Sequence, residues 1–173
     1  MHDNGYLALV LHAHLPFVRH PEHDPFLEED WLYEAITETY LPLLAMLEGL
    51  LRDGVDACLS LTLTPPLCHM LRDALLIGRY DAHLDRLIEL ARQEQECTRH
   101  LGAEISGLNG FYVRRLEACR DAWQNRWKRD IVGAFNQFAE AGILEIITCA
   151  ATHGFLPMME VCPEAMRAQV LIG

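Results

Sequence analysis

Three histidines carry the chemistry that the sequence offers. His12 and His14 stand two residues apart in Leu11-His12-Ala13-His14-Leu15-Pro16, and His153 lies far along the chain in Ala151-Thr152-His153-Gly154-Phe155-Leu156-Pro157. An extended chain alternates its side chains, so His12 and His14 share one face and Ala13 takes the other. Imidazoles so placed can ligate a metal ion, hydrogen-bond the hydroxyl groups of a sugar or pass protons. Three of them on one rim would suit zinc, although no Asp or Glu stands beside them to orient the rings. The plainer alternative is a set of hydrogen-bonded structural histidines. Thr64, in Leu63-Thr64-Pro65-Pro66, is expected on the same rim. Trp31 offers a ring that either stacks on a sugar face or packs against Tyr33 and Phe26.

Carboxylates are missing where chemistry would need them. A glycoside-cleaving site places two of them about the scissile bond. Glu145 precedes its expected strand and falls at the far end of the sheet, Glu160 belongs to a loop, and Glu28, Glu29 and Asp30 suit a helix start. No GxGxxG, P-loop or GxSxG occurs. Cys68 and His69 read as chance neighbours on a helix, and Trp123 with Trp127 as one packed helical face.

The elements that must position the histidines follow from the apolar runs. Residues 6–12, 57–63 and 144–150 read as buried strands, each soon followed by a proline. Helices are expected over residues 29–52, with a kink or break at Pro42, over 66–76, over 81–101, along 111–141 and over 163–172, the last with Pro163 at its start. A loop is expected around Gly102–Gly110, and Gly154 should allow a tight turn beside His153. Alternating strands and helices imply a parallel sheet, with the histidines at its C-terminal rim. The long connection between the second and third strands is expected to hold a mostly helical insertion, residues 79–142. Three strands leave exposed sheet edges, which would favour self-association.

Composition narrows the partners. The 173 residues carry a net charge of −11, against nucleic acid as a partner, since phosphate binding needs clustered Lys and Arg. No apolar run approaches the length of a membrane span, and no signal peptide opens the chain. The six cysteines are scattered, and several sit in apolar runs such as Thr148-Cys149-Ala150, which suggests small buried hydrophobes in a reducing, cytoplasmic setting.

The stretch Gly5-Tyr6-Leu7-Ala8-Leu9-Val10-Leu11-His12-Ala13-His14-Leu15-Pro16 resembles the opening of the glycoside hydrolase family 57 enzymes, and within them the 1,4-alpha-glucan branching subgroup. Trp31 to Leu44, Leu63 to Leu67 and Ala151 to Pro157 are similar to the same group, so the resemblance covers nearly the whole chain. It implies an α/β fold, the N-terminal part of an incomplete (β/α)7 TIM-like barrel, with a helical domain following the barrel. It implies a retaining transglycosylation on an alpha-glucan of the amylose or glycogen type, forming α-1,6 branches without a cofactor. It places His12, His14, Trp31, His153 and Thr64 around the donor sugar, and it puts the catalytic Glu and Asp beyond residue 173. By that reading this chain alone lacks catalytic carboxylates and is inactive. Two alternatives stand beside it: a metal-dependent hydrolase or deacetylase using His12, His14 and His153, and a glucan-binding module without catalysis.

Overall fold

The computed structural model describes Gly5, residues 7–23 and residues 26–173; Tyr6, Pro25 and the first four residues, on which some expectations bear, lie outside the described residues. The chain forms two compact units. One takes the residues up to Val18, Leu44–Leu71 and Val132–Gly173; the other takes Arg19–Leu43 and Arg72–Ile131.

The first unit holds a parallel sheet of β1 (Val10–Ala13), β2 (Leu59–Leu63) and β3 (Leu144–Ile147), with β2 in the centre. Each strand is shorter than its apolar run, because pairing extends only over the register from Val10↔Ser60 to Ala13↔Leu63 and from Leu59↔Leu144 to Thr62↔Ile147. Burial on both faces holds for β2, where Leu59, Leu61, Thr62 and Leu63 are buried, but not for the edges: Leu9, Val10, Ile146 and Ile147 are exposed. Glu145 lies within β3 rather than before it, and Ser60 Oγ donates to its carboxylate at 2.7 Å.

In the second unit the helix from Glu29 does not break at Pro42. It runs as α1 (Glu29–Glu34), a π-helical turn (Ala35–Tyr40) and α2 (Leu41–Arg52), which continues into the first unit. In the wide turn the Leu41 N–H bonds to the Ile36 carbonyl, five residues back. A proline in a regular helix lacks a donor and clashes with the carbonyl four residues before it; the wider turn absorbs that mismatch.

The next boundary is set by Asp73. It takes an extended conformation between α3 (Pro65–Arg72) and α4 (Ala74–Thr98), and its side chain accepts from the Leu75 and Leu76 N–H groups at 3.0 and 3.1 Å. This N-cap divides what the sequence suggested as helices over 66–76 and 81–101. Residues 103–121 are α5, not a loop up to Gly110. Of the glycines that suggested a loop, Gly110 serves helix packing: it is buried, and a Cβ there would lie 3.2 Å from Arg114 Nη1 and 3.4 Å from Gln95 Nε2 of α4. Close approach of two helices outweighs the low helical propensity of glycine. A second π-helical turn (Ala122–Arg126) follows, then left-handed Lys128 and Arg129 (φ 51° and 64°), which separate α5 from α6 (Ile131–Glu140). Trp123 and Trp127 are both buried but differently engaged: Trp123 meets Tyr80 edge-on at 4.9 Å, and the Arg126 guanidinium lies 4.4 Å over the Trp127 ring. A 3-10 turn (Leu156–Met159) and α7 (Pro163–Ile172) close the chain.

The cysteines are free thiols, as the lack of a disulfide framework in the sequence suggested, but they are not buried hydrophobes. Cys58, Cys97 and Cys162 are exposed and the other three half-buried. Among the described residues, no helix is long and apolar enough to cross a membrane.

Candidate functional site

The alternation of β1 sends Ala13 into the core and leaves His12 and His14 on the opposite side. Ala13 is fixed at the strand end, where its carbonyl accepts the Thr64 N–H at 3.3 Å. Thr64 leaves β2 fully buried, and its carbonyl accepts the Cys68 N–H at the first turn of α3. Its hydroxyl meets His14 Nδ1 at 3.0 Å.

His153 arrives from the loop after β3. Its N–H donates to the Ala150 carbonyl at 2.7 Å, and its backbone is left-handed (φ 56°). The unusual conformation thus falls on the histidine itself and not on Gly154. Such a φ is uncommon for a residue with a Cβ, and strained positions of this kind gather at functional sites. A Cβ at Gly154 would meet Cε, the movable end of the Met159 side chain.

The three imidazoles form one cluster. His14 and His153 stack with centroids 4.0 Å apart; His12 lies 5.1 Å from His153 and 6.1 Å from His14. His153 Nδ1 is 3.1 Å from Cys149 Sγ. Burial, followed by the neighbouring His153 and His12, holds the His14 pKa below the ordinary imidazole value, while burial pushes the Cys149 thiol up. The His14 ring therefore favours its uncharged form.

Beside His14 opens a cleft of about 390 Å³, walled by Pro16, Phe17, Pro65, His69 and Thr152. The half-exposed Phe17 ring lies 5.7 Å from His69. The sequence does not mark Phe17, His69 or Cys149 as site residues, yet Phe17 directly follows the Pro16 that ends the first motif, and Cys149 and His153 are four apart. A three-histidine zinc arrangement does not fit. Two rings stack face to face with their Nδ1 atoms engaged, and among the described residues no group of three His, Cys, Asp or Glu is set to hold a metal ion.

Four of the five expected residues, His12, His14, Thr64 and His153, thus come together. Trp31 stands in the second unit, in the first turn of α1, where it is 49% exposed while Tyr33 is buried.

The model of the glycosyl hydrolase family 57 matches residues 8–173. The chain belongs to glycosyl hydrolase family 57. Within that family it is 34% identical, over 98% of its length, to a 1,4-alpha-glucan branching enzyme of Thermococcus kodakarensis, of which it spans 24%. It is 26% identical to a probable 1,4-alpha-glucan branching enzyme of Mycobacterium tuberculosis, over 90% of this chain and 31% of that one. Among solved structures, an alpha-amylase of Thermotoga maritima superposes with a TM-score of 0.88 at 42% identity, over 96% of this chain and 31% of that one. A GH57-type branching enzyme of Pyrococcus horikoshii gives 0.85 at 34% identity, with the same shares. The three parallel strands and their helices are accordingly part of a family 57 (β/α)7 barrel, and the chain covers 31% of each of these two solved chains.

Proposed function

We propose that His12, His14 and His153 form the donor-side rim of an alpha-glucan site in a 1,4-alpha-glucan branching enzyme. The observation that carries this reading is the convergence of the three imidazoles next to an apolar cleft. Uncharged rings donate to and accept from sugar hydroxyls, and the apolar walls suit the C–H faces of pyranose rings. Phe17, in the wall of this cleft, is the ring proposed to stack on the glucan; Trp31, in the second unit, is proposed as a separate sugar-stacking ring. Branching transfers a glucan segment to a 6-hydroxyl of an acceptor chain; the carboxylates for that step lie outside the residues assembled at this rim.

Calorimetric titration of the 173-residue chain with maltoheptaose tests the rim. Binding that weakens in His14→Ala is expected; no heat at millimolar sugar would remove the reading. A second reading, hydrolysis instead of branching, is favoured by one observation: identity to the alpha-amylase is 42%, against 34% for the Pyrococcus branching enzyme. The linkage of the products separates the two, as new α-1,6 bonds mark branching and new reducing ends mark hydrolysis.

A further inference from the structure

Two side chains engage the stacked imidazoles in parallel fashion. Thr64 Oγ1 meets Nδ1 of His14 at 3.0 Å, and Cys149 Sγ meets Nδ1 of His153 at 3.1 Å. Among the described residues, Nε2 of neither ring has a protein partner, so each ring keeps that nitrogen for a ligand.

The direction of each bond can be worked out. Thr64 is 0% exposed, and among the described residues its hydroxyl has one hydrogen-bond partner, His14 Nδ1. A buried hydroxyl places its proton on an acceptor. The Thr64 hydroxyl therefore donates to a bare Nδ1, and the neutral His14 ring carries its proton on Nε2. The Cys149 sulfur lies 3.3 Å from the Ala150 carbonyl oxygen, which can only accept. The thiol proton goes there, and the sulfur is left to accept Nδ1–H from His153. The neutral His153 ring then has a bare Nε2.

We infer that Thr64 and Cys149 are positioning residues that fix opposite tautomers on the stacked pair, so that His14 offers an Nε2–H donor and His153 an Nε2 acceptor to neighbouring hydroxyl groups of one sugar residue. The sugar as ligand rests on the reading of the rim as a glucan site; the tautomers do not. A pyranose suits such a pair, because one hydroxyl can accept while its neighbour donates. A set of interchangeable imidazoles would not make that distinction. The left-handed backbone of His153 belongs to the same arrangement, since it brings this ring over His14 while its Nδ1 stays against Cys149.

Nitrogen-15 NMR of histidine-labelled wild-type chain, at a pH well above the ordinary imidazole pKa of about 6.5, reads both tautomers directly. His14 protonated at Nε2 and His153 protonated at Nδ1 are expected. The reverse tautomer at either ring overturns the inference whether or not sugar binds, and needs no variant to fold. Maltoheptaose titrations supply the functional arm. Thr64→Val and Cys149→Ala should each weaken binding about tenfold, the loss of one oriented hydrogen bond. Thr64→Ser should restore His14 to the Nε2–H form and bind within about threefold of wild type. Wild-type affinity in Thr64→Val would remove the positioning role. Absence of binding in wild type would instead count against the glucan rim, with the tautomers still decided by NMR.

Discussion

The Arg79 guanidinium is ion-paired to the carboxylate of Glu29 in a setting almost sealed from water: their side chains are 14% and 1% exposed. Tyr33 Oη donates to the same carboxylate at 2.8 Å, and Arg79 also binds the carbonyls of His20 and His23, at 3.1 and 2.5 Å. One residue of α4 thus fixes α1 and the turn before it. Burial, and then the bond to Glu29, push the Tyr33 phenol well above its ordinary pKa. Removing one partner of a buried pair strands the other charge, so Arg79→Ala should lower the unfolding free energy by about 3–5 kcal/mol. A urea titration showing a loss below about 1 kcal/mol would mean that Glu29 is effectively solvated.

The histidine cluster should make stability depend on pH in a definite direction. The folded His14 pKa lies below its unfolded value of 6.5, so the unfolded chain binds the proton more readily. Stability is then fully present above pH 6.5 and declines as the pH falls from there through the lowered folded pKa. Among the described residues no carboxylate touches the cluster to oppose this; the groups in ring contact with His14 are His12 and His153. Proton NMR of the His14 ring should give a midpoint below 6.5, and a midpoint at or above that value would refute the electrostatic account.

Much of the rim was legible because its rules are short-range. Period-two alternation placed His12 and His14 together and Ala13 in the core, and the apolar runs located all three strands. Thr64 was expected on the rim, but its bond to His14 depends on the register of β1 against β2, which no local pattern encodes. The left-handed turn falls on His153 although glycine is the usual left-handed residue and Gly154 stands next to it. The helix boundaries failed where tertiary contacts or caps overrode propensity, at Asp73, Gly110 and the turn before Pro42. Edge exposure at Val10 and Ile147 follows from the exposed edges that three strands imply, although the apolar runs taken singly suggest burial on both faces.

Trp123 is the anchor of the second unit. It is fully buried, meets Tyr80 edge-on, and donates from Nε1 to Asp81 at 2.9 Å. Burial alone would raise the Asp81 pKa, but bonds from Arg129, Gln124 and Trp123 outweigh it and hold the carboxyl below its ordinary value. Trp123→Ala should cost about 3–5 kcal/mol through the cavity it leaves. Trp123→Phe, which keeps most of the volume but drops one of three donors to Asp81, should cost clearly less, and equal losses in the two would argue against packing as the main effect.

The rim also makes a prediction about catalysis. Among the described residues the one carboxylate within the strands is Glu145 of β3, which accepts from Ser60 of β2, so the 173-residue chain should bind glucan without cleaving or transferring it. Incubation with amylose should yield neither new α-1,6 linkages nor new reducing ends. Either product would show that a carboxylate of this chain reaches the bound sugar.

The stacked rings of His14 and His153 come from positions about 140 residues apart, so closing that loop is entropically costly and belongs late on the folding route. A ligand gripping both rings would act as a reversible clasp across the first unit, resisting separation of β1 from the segment after β3. At a hundredfold excess over its dissociation constant such a clasp adds about 2.7 kcal/mol of stability, so a shift in melting temperature with added oligosaccharide would report on the whole sheet and not merely on the cleft.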